Sequence, residues 1–215
     1  PCYHYLDLAW LPAMREIGFD AGLVLEKAGF YPEGGGRISA RIRPAGGLRT
    51  LELTQRGELG RIRGIYAVAN LDQSIAERQR RQARLRIGTE MEPEISLIAM
   101  PSPGKGTMLL LLAESEFARA CFFSLGERGK PAERVADEAV DALEAYLQTG
   151  GALDPYLGDQ LLLPLCLAGG VSRLSIPRIT RHLMTNADVI RSYLPASIQI
   201  AGLEGESGTV TIRPE

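Results

Sequence analysis

Tyr156-Leu157-Gly158-Asp159-Gln160-Leu161-Leu162-Leu163-Pro164-Leu165-Cys166-Leu167 is a helical pattern with an internal proline, and its Asp159 to Pro164 core repeats a spacing found near the start of the chain. There, Asp7-Leu8-Ala9-Trp10-Leu11-Pro12 gives the same Asp-x-x-x-Leu-Pro order inside a helix expected from about Tyr3 to Ile17, with Leu6, Ala9, Trp10, Ala13, Met14 and Ile17 at helical spacing and Gly18 as the stop. Pro12 should kink that helix, because its ring removes a donor and presses on the Leu8 carbonyl. Each motif is followed by a glycine-punctuated strand, so the pair predicts a repeated helix-plus-sheet unit.

Working outward, short apolar runs at Gly22 to Leu25, Arg37 to Ile42 and Leu51 to Leu53 are separated by Gly34-Gly35-Gly36 and Pro44-Ala45-Gly46-Gly47, the signature of strands joined by turns. Beyond the second motif lie a strand at Val171 to Ile176, a helix at Ile179 to Tyr193, and strands at Ile198 to Ala201 and Thr209 to Ile212. Between the two motifs sits a stretch with its own organisation: a strand around Ile62 to Val68, a polar helix at Ser74 to Arg86, strands at Ile95 to Ala99, Met108 to Leu112 and Ala118 to Phe123, and a helix near Pro131 to Leu147. That is a β-α-β-β-β-α unit. The predicted fold is therefore α+β, with repeated helix-backed sheet units and a smaller inserted α/β domain at 60–150 interrupting a main domain at 1–59 and 151–215.

Composition narrows the function. Hydrophobic residues make up 45% and charged residues 23% of the 215, close to an ordinary globular chain, and no apolar run approaches the ~18 residues of a membrane helix. The expectation is a soluble protein with no membrane partner. The net charge of −2 provides no global basic field for nucleic acid, so any RNA must be gripped locally. Lys occurs only at 27, 105 and 130, and the other 21 basic residues are Arg, the better bidentate phosphate ligand; an Arg-rich genomic background explains the bias equally. Cys2, Cys121 and Cys166 form no CxxC and, with two histidines, no zinc cluster, which fits a reducing, cytoplasmic setting. Pro1 opens the sequence without a Met and a helix follows at once, which predicts a fragment with no targeting segment ahead of it.

Gly104-Lys105-Gly106-Thr107 lacks the spacing of a phosphate loop and reads as a turn between strands. The triple glycine at 34–36 suits either a tight turn or a close backbone approach to phosphate. His4, near Asp7, is expected to be solvated or capping. His182 stands in Thr180-Arg181-His182-Leu183-Met184-Thr185-Asn186 on a predicted helix, where a lone His is most often structural. Its neighbours argue for more: Arg178 and Arg181 can neutralise phosphate charge and keep the imidazole neutral, and Thr185 and Asn186 can hydrogen-bond a ring nitrogen or a phosphoryl oxygen. An imidazole so oriented is a competent nucleophile at phosphorus.

Three stretches carry a resemblance: Gly29-Phe30-Tyr31-Pro32-Glu33-Gly34-Gly35-Gly36, Tyr156 to Ala168, and His182-Leu183-Met184-Thr185-Asn186-Ala187-Asp188-Val189-Ile190 followed by Leu194-Pro195. With Gly126-Glu127-Arg128-Gly129-Lys130 they closely resemble the RNA 3′-terminal phosphate cyclases. The resemblance implies repeated helix-backed sheets with an inserted α/β domain, and an enzyme in which a histidine attacks the α-phosphate of ATP to form a covalent adenylate. The AMP then passes to an RNA 3′-phosphate, and the 2′-hydroxyl closes a 2′,3′-cyclic phosphate. Carried over by position, it implies His182 as the adenylated nucleophile, Tyr156, Leu157, Gly158, Asp159 and Gln160 as part of the nucleotide pocket, and ATP with a divalent metal, Mg, as cofactors. The family's N-terminal Glu-Gly-Gly-Gly-Gln-like motif has no counterpart here, and Pro1 to Tyr5 matches no family motif. The alternatives are a non-enzymatic cyclase-like factor in ribosome assembly, which would lack the histidine, and a stand-alone RNA-binding module, which the charge disfavours.

Overall fold

The computed structural model describes residues 2–88, 91 and 93–214, so the reading of Pro1 lies outside it. The opening helix is one continuous run of three pieces: α1 (Tyr3–Tyr5), a π-helical stretch (Leu6–Trp10) and α2 (Leu11–Glu16). The strain expected at Pro12 is taken up upstream, where the turn widens and the Leu11 N–H reaches the Leu6 carbonyl. Gly18, at φ 97°, ends the helix in a conformation that a side chain would strain. The strands β1 (Asp20–Lys27) and β2 (Arg37–Arg43) form an antiparallel hairpin, and β3 (Glu52–Leu53) begins a separate sheet.

The middle stretch folds in the predicted order: β4 (Leu59–Ala69), α3 (Gln73–Ile87), β5 (Glu94–Ala99), β6 (Gly106–Ser115), β7 (Arg119–Leu125) and α4 (Ala132–Leu147). Its sheet runs β5-β4-β6-β7, parallel between β4 and β5 and antiparallel elsewhere. The unbroken apolar run in β6 follows from burial on both faces, since the faces of a strand alternate. Leu109 and Leu111 join the core under α3 and α4, whereas Met108, Leu110 and Leu112 meet Tyr5 and Ala9 of the opening helix. Much of the sequence's arginine is consumed here. Arg78 pairs with Glu133 at 2.6 Å, and Arg86 reaches Asp137, Asp141 and Glu144 at 3.1, 2.8 and 3.0 Å, riveting α3 to α4.

The remainder comprises α5 (Leu157–Cys166), β8 (Ser172–Ile176), α6 (Arg181–Tyr193), β9 (Ala196–Ala201) and β10 (Gly208–Pro214). The second four-stranded sheet, β3-β8-β10-β9, again holds one parallel and two antiparallel pairings, backed by α5 and α6. The fold is α+β. The two Asp-x-x-x-Leu-Pro motifs take different local forms, because Asp7 and Pro12 fall within and after the π-helical stretch, whereas Asp159 lies in the first turn of α5 and Pro164 inside it. Among the described residues no helix is long and apolar enough to cross a membrane.

We propose that 60–150 is a separable unit, because the buried residues of the core beneath α3 and α4 all lie within it. Replacing 60–150 by a short linker should leave a remainder that still unfolds cooperatively in urea, at a lower midpoint because Tyr5 and Ala9 lose their partners on β6. Loss of all cooperativity would count against these boundaries.

Candidate active site

The site is built where the start of α5 meets the start of α6. Asp154, fully buried, sets the first of these: its Oδ1 accepts the Tyr156 and Leu157 backbone N–H groups, each at 2.9 Å, and the Tyr5 hydroxyl at 2.8 Å. This carboxylate caps α5 and ties it to the opening helix. Burial outweighs the opposing hydrogen bonds, from Tyr5 first and then the backbone, and pushes the Asp154 carboxyl up to about 6. The second start is set by Thr180, whose Oγ1 accepts the Leu183 N–H at 3.1 Å.

Asp159, one turn into α5, has a side chain only 9% exposed, and its Oδ2 contacts Nδ1 of His182, whose side chain is 80% exposed at the start of α6. Burial raises the Asp159 carboxyl, opposed by the His182 imidazole. The Asn186 amide donates to the Asp159 carbonyl at 2.8 Å, locking the two helices at this point. A cavity of about 570 Å³ opens beside the pair, lined by Tyr156, Asp159, Gln160, Thr180, His182 and Phe123. Tyr156 is half exposed, and its carbonyl accepts the Gln160 side-chain amide at 2.9 Å.

Of the residues singled out in the sequence, the fold thus gathers Tyr156, Asp159, Gln160 and His182 around one cavity. Leu157 and Gly158 face the other way. Leu157 lies in the core, and a Cβ on Gly158 would stand 2.6 Å from Ile176 Cδ1. The orienting partner of His182 is Asp159 and not Thr185 or Asn186, since Asn186 is engaged with the α5 backbone. Arg178 and Arg181 are exposed and do not line the cavity. His4 departs from expectation: it is buried beside a second cavity of about 600 Å³, and burial pushes its imidazole pKa down. The hairpin and β6 line that cavity with it. Phe123 of β7 lines both cavities. Sequence reasoning missed Asp154, Tyr5, Thr180 and Phe123. Asp154 and Thr180 carried a findable signal, an Asp or Thr just ahead of an apolar helical run.

No three His, Cys, Asp or Glu side chains converge as a seat for a divalent cation among the described residues. The thiols are withdrawn as well: burial raises the pKa of Cys2, Cys121 and Cys166. What remains at the cavity is one carboxylate-oriented imidazole.

A family model described as RNA 3′-terminal phosphate cyclase matches residues 1–200. The chain belongs to that family. Among named cyclases it is 40% identical to that of Methanopyrus kandleri over 99% of this chain and 60% of the relative. It is 36% identical to that of Koribacter versatilis over 94% and 56%, and 35% identical to that of Pseudomonas aeruginosa over 99% and 62%. The chain therefore spans about three fifths of the length of the curated cyclases it matches.

The buried carboxyl makes stability pH-dependent. Asp154 binds its proton more tightly folded, at about 6, than an unfolded Asp near ~3.9, so the folded state holds more protons between these values and stability falls as pH rises through that window. The loss is on the order of 2–3 kcal/mol. Asp154→Asn keeps an acceptor for the same three donors but does not titrate. Urea unfolding at pH 4, 5, 6 and 7 should show the wild type losing ground to Asp154→Asn up to about pH 6 and running parallel above it.

Proposed function

We propose that this chain carries the nucleotidyl-transfer centre of a cytoplasmic, ATP-dependent RNA 3′-phosphate cyclase. The observation that supports it is the Asp159–His182 pair opening on a cavity bordered by Tyr156 and Gln160. A carboxylate only accepts, so Nδ1 carries the proton and Nε2 of the neutral ring presents its lone pair. Nε2 attacks the α-phosphorus of ATP: an N–P bond forms, the bond to the bridging oxygen breaks, and pyrophosphate leaves. Positive charge then develops on the ring, where buried Asp159 stabilises it most.

An oxygen of the RNA 3′-phosphate next attacks the adenylate phosphorus, breaking the N–P bond and returning the imidazole to its neutral form. The adjacent 2′-hydroxyl attacks the terminal phosphorus, the ring closes, and AMP departs as the hydroxyl proton passes to solvent. Tyr156 offers adenine a face to stack on, and Gln160 a polar contact to ribose or phosphate. Leu157 and Gly158 face the core and act by seating the start of α5, from which Tyr156, Asp159 and Gln160 reach the cavity. A divalent cation, Mg, would enter with the triphosphate and offset its charge.

In the intact protein, His182→Ala should abolish the AMP adduct read by mass spectrometry after incubation with ATP. Its stability should stay within about 1 kcal/mol of wild type, as expected of an exposed side chain. Asp159→Asn should slow adduct formation by roughly 100- to 10,000-fold through loss of ring orientation and charge stabilisation. Tyr156→Ala should weaken ATP binding by calorimetry roughly tenfold. An adduct that persists in His182→Ala would sink the assignment.

A further inference from the structure

Two lysine-bearing glycine stretches have no part in the adenylation chemistry, yet the fold brings them together. Lys105-Gly106-Thr107 and Gly126-Glu127-Arg128-Gly129-Lys130 line one cavity of about 660 Å³ beside the turn at 30–36. Close approach requires the glycines. A Cβ on Gly126 would stand 2.3 Å from Thr107 Cγ2, and one on Gly106 2.0 Å from the Phe30 ring, so both stretches and the turn are pressed into a continuous wall.

The chemistry of that wall points to a ligand. The 16-residue helix α4 starts here, with Ala132 and Val135 on the wall; its N-cap residue Pro131 makes no side-chain cap, and the first-turn Glu133 carboxylate is paired with Arg78, so part of the positive helix end is open to an anion. Lys105 and Arg128 are exposed and make no ion pair among the described residues, whereas Lys130 is held by Glu138. Glu33 and Glu127 offset part of this charge. Gln79, wholly buried on the wall, has an unpartnered Nε2. The Thr107 hydroxyl, 2.8 Å from the Ala67 carbonyl and 3.1 Å from Gln79 Oε1, has one hydrogen to give, so one end of the Gln79 amide lacks a protein partner whichever way it turns. At the rim Tyr31 is 95% exposed, a large aromatic face that packing leaves unused.

We propose that this cavity binds one nucleotide of a single-stranded RNA, upstream of the reacting 3′ end. Its phosphate lies against Lys105, Arg128 and the start of α4, and its base stacks on Tyr31. Position favours a chain over a free nucleotide. Phe30 and Gly34 of the same turn line the neighbouring cavity, which shares Phe123 with the site of His182, so a strand leaving that site can cross that cavity to reach this wall. Two free cations offset by two carboxylates also suit one phosphodiester better than a triphosphate.

The proposal rests on the reading of RNA as substrate, and the test separates the two. Fluorescence anisotropy on the intact protein would compare a labelled 12-mer with a dinucleotide, both ending in a 3′-phosphate, while adduct formation from ATP is followed independently. The double variant Lys105→Ala/Arg128→Ala should weaken the 12-mer roughly tenfold and lower its salt slope by roughly 0.7 for each phosphate that is no longer neutralised. It should leave the dinucleotide and the adduct unchanged. Tyr31→Ala should weaken the 12-mer similarly, and Tyr31→Phe should restore it. Unchanged 12-mer binding, an equal loss for the dinucleotide, or a second AMP per protein in equilibrium dialysis that the double variant removes would each overturn the proposal. If wild type forms no adduct, the cyclase reading fails while the 12-mer still decides this cavity.

Discussion

One buried carboxylate organises the molecule. Asp154 sits where the opening helix, the connection after α4 and the start of α5 converge, and three donors from two distant segments share its Oδ1. Removing the carboxylate would leave the Tyr5 hydroxyl and two helix-start N–H groups unsatisfied in an apolar setting, the costly side of hydrogen-bond energetics. Keeping it charged is also costly, as its raised pKa shows. The fold accepts that cost at the point that fixes the angle of α5, and hence where Asp159 and Tyr156 stand.

From Asp154 the order passes outward by short links. Capped α5 presents Asp159 from its first turn; Asn186 clasps the Asp159 carbonyl; Asp159 holds the imidazole of His182. Each link lies within the first or second turn of a helix, where backbone donors are free and the macrodipole favours negative groups. Two helix starts meeting head to head thus form a polar focus on a mostly apolar scaffold, and β7 closes it from the side with Phe123.

Much of the fold was legible because its signals are local. Helical spacing, glycine stops and the doubly buried run of β6 are properties of neighbouring residues, and the element order of the middle stretch could be read from them. The site was legible in part for the same reason, since Tyr156, Asp159 and Gln160 share one helix start. What the sequence hid depends on long-range meetings: Tyr5 with Asp154 across 149 positions, Phe123 from another sheet, and the Asp159–His182 pair itself. The Arg-rich α3 shows the same limit, because nothing in its own sequence announces that the facing acids of α4 engage Arg78 and Arg86. His4 misled likewise, because nothing local announces that the fold will bury it.

The withdrawal of the three thiols has a consequence for selectivity among electrophiles. A cysteine attacks as its anion, and burial keeps Cys2, Cys121 and Cys166 in the protonated form. A maleimide therefore finds little to react with, whereas an acylating reagent that seeks a solvent-facing imidazole meets His182 at the mouth of its cavity. With its sulfur chemistry suppressed, the fold lets two classes of chemical label tell an intact scaffold from an occupied cavity.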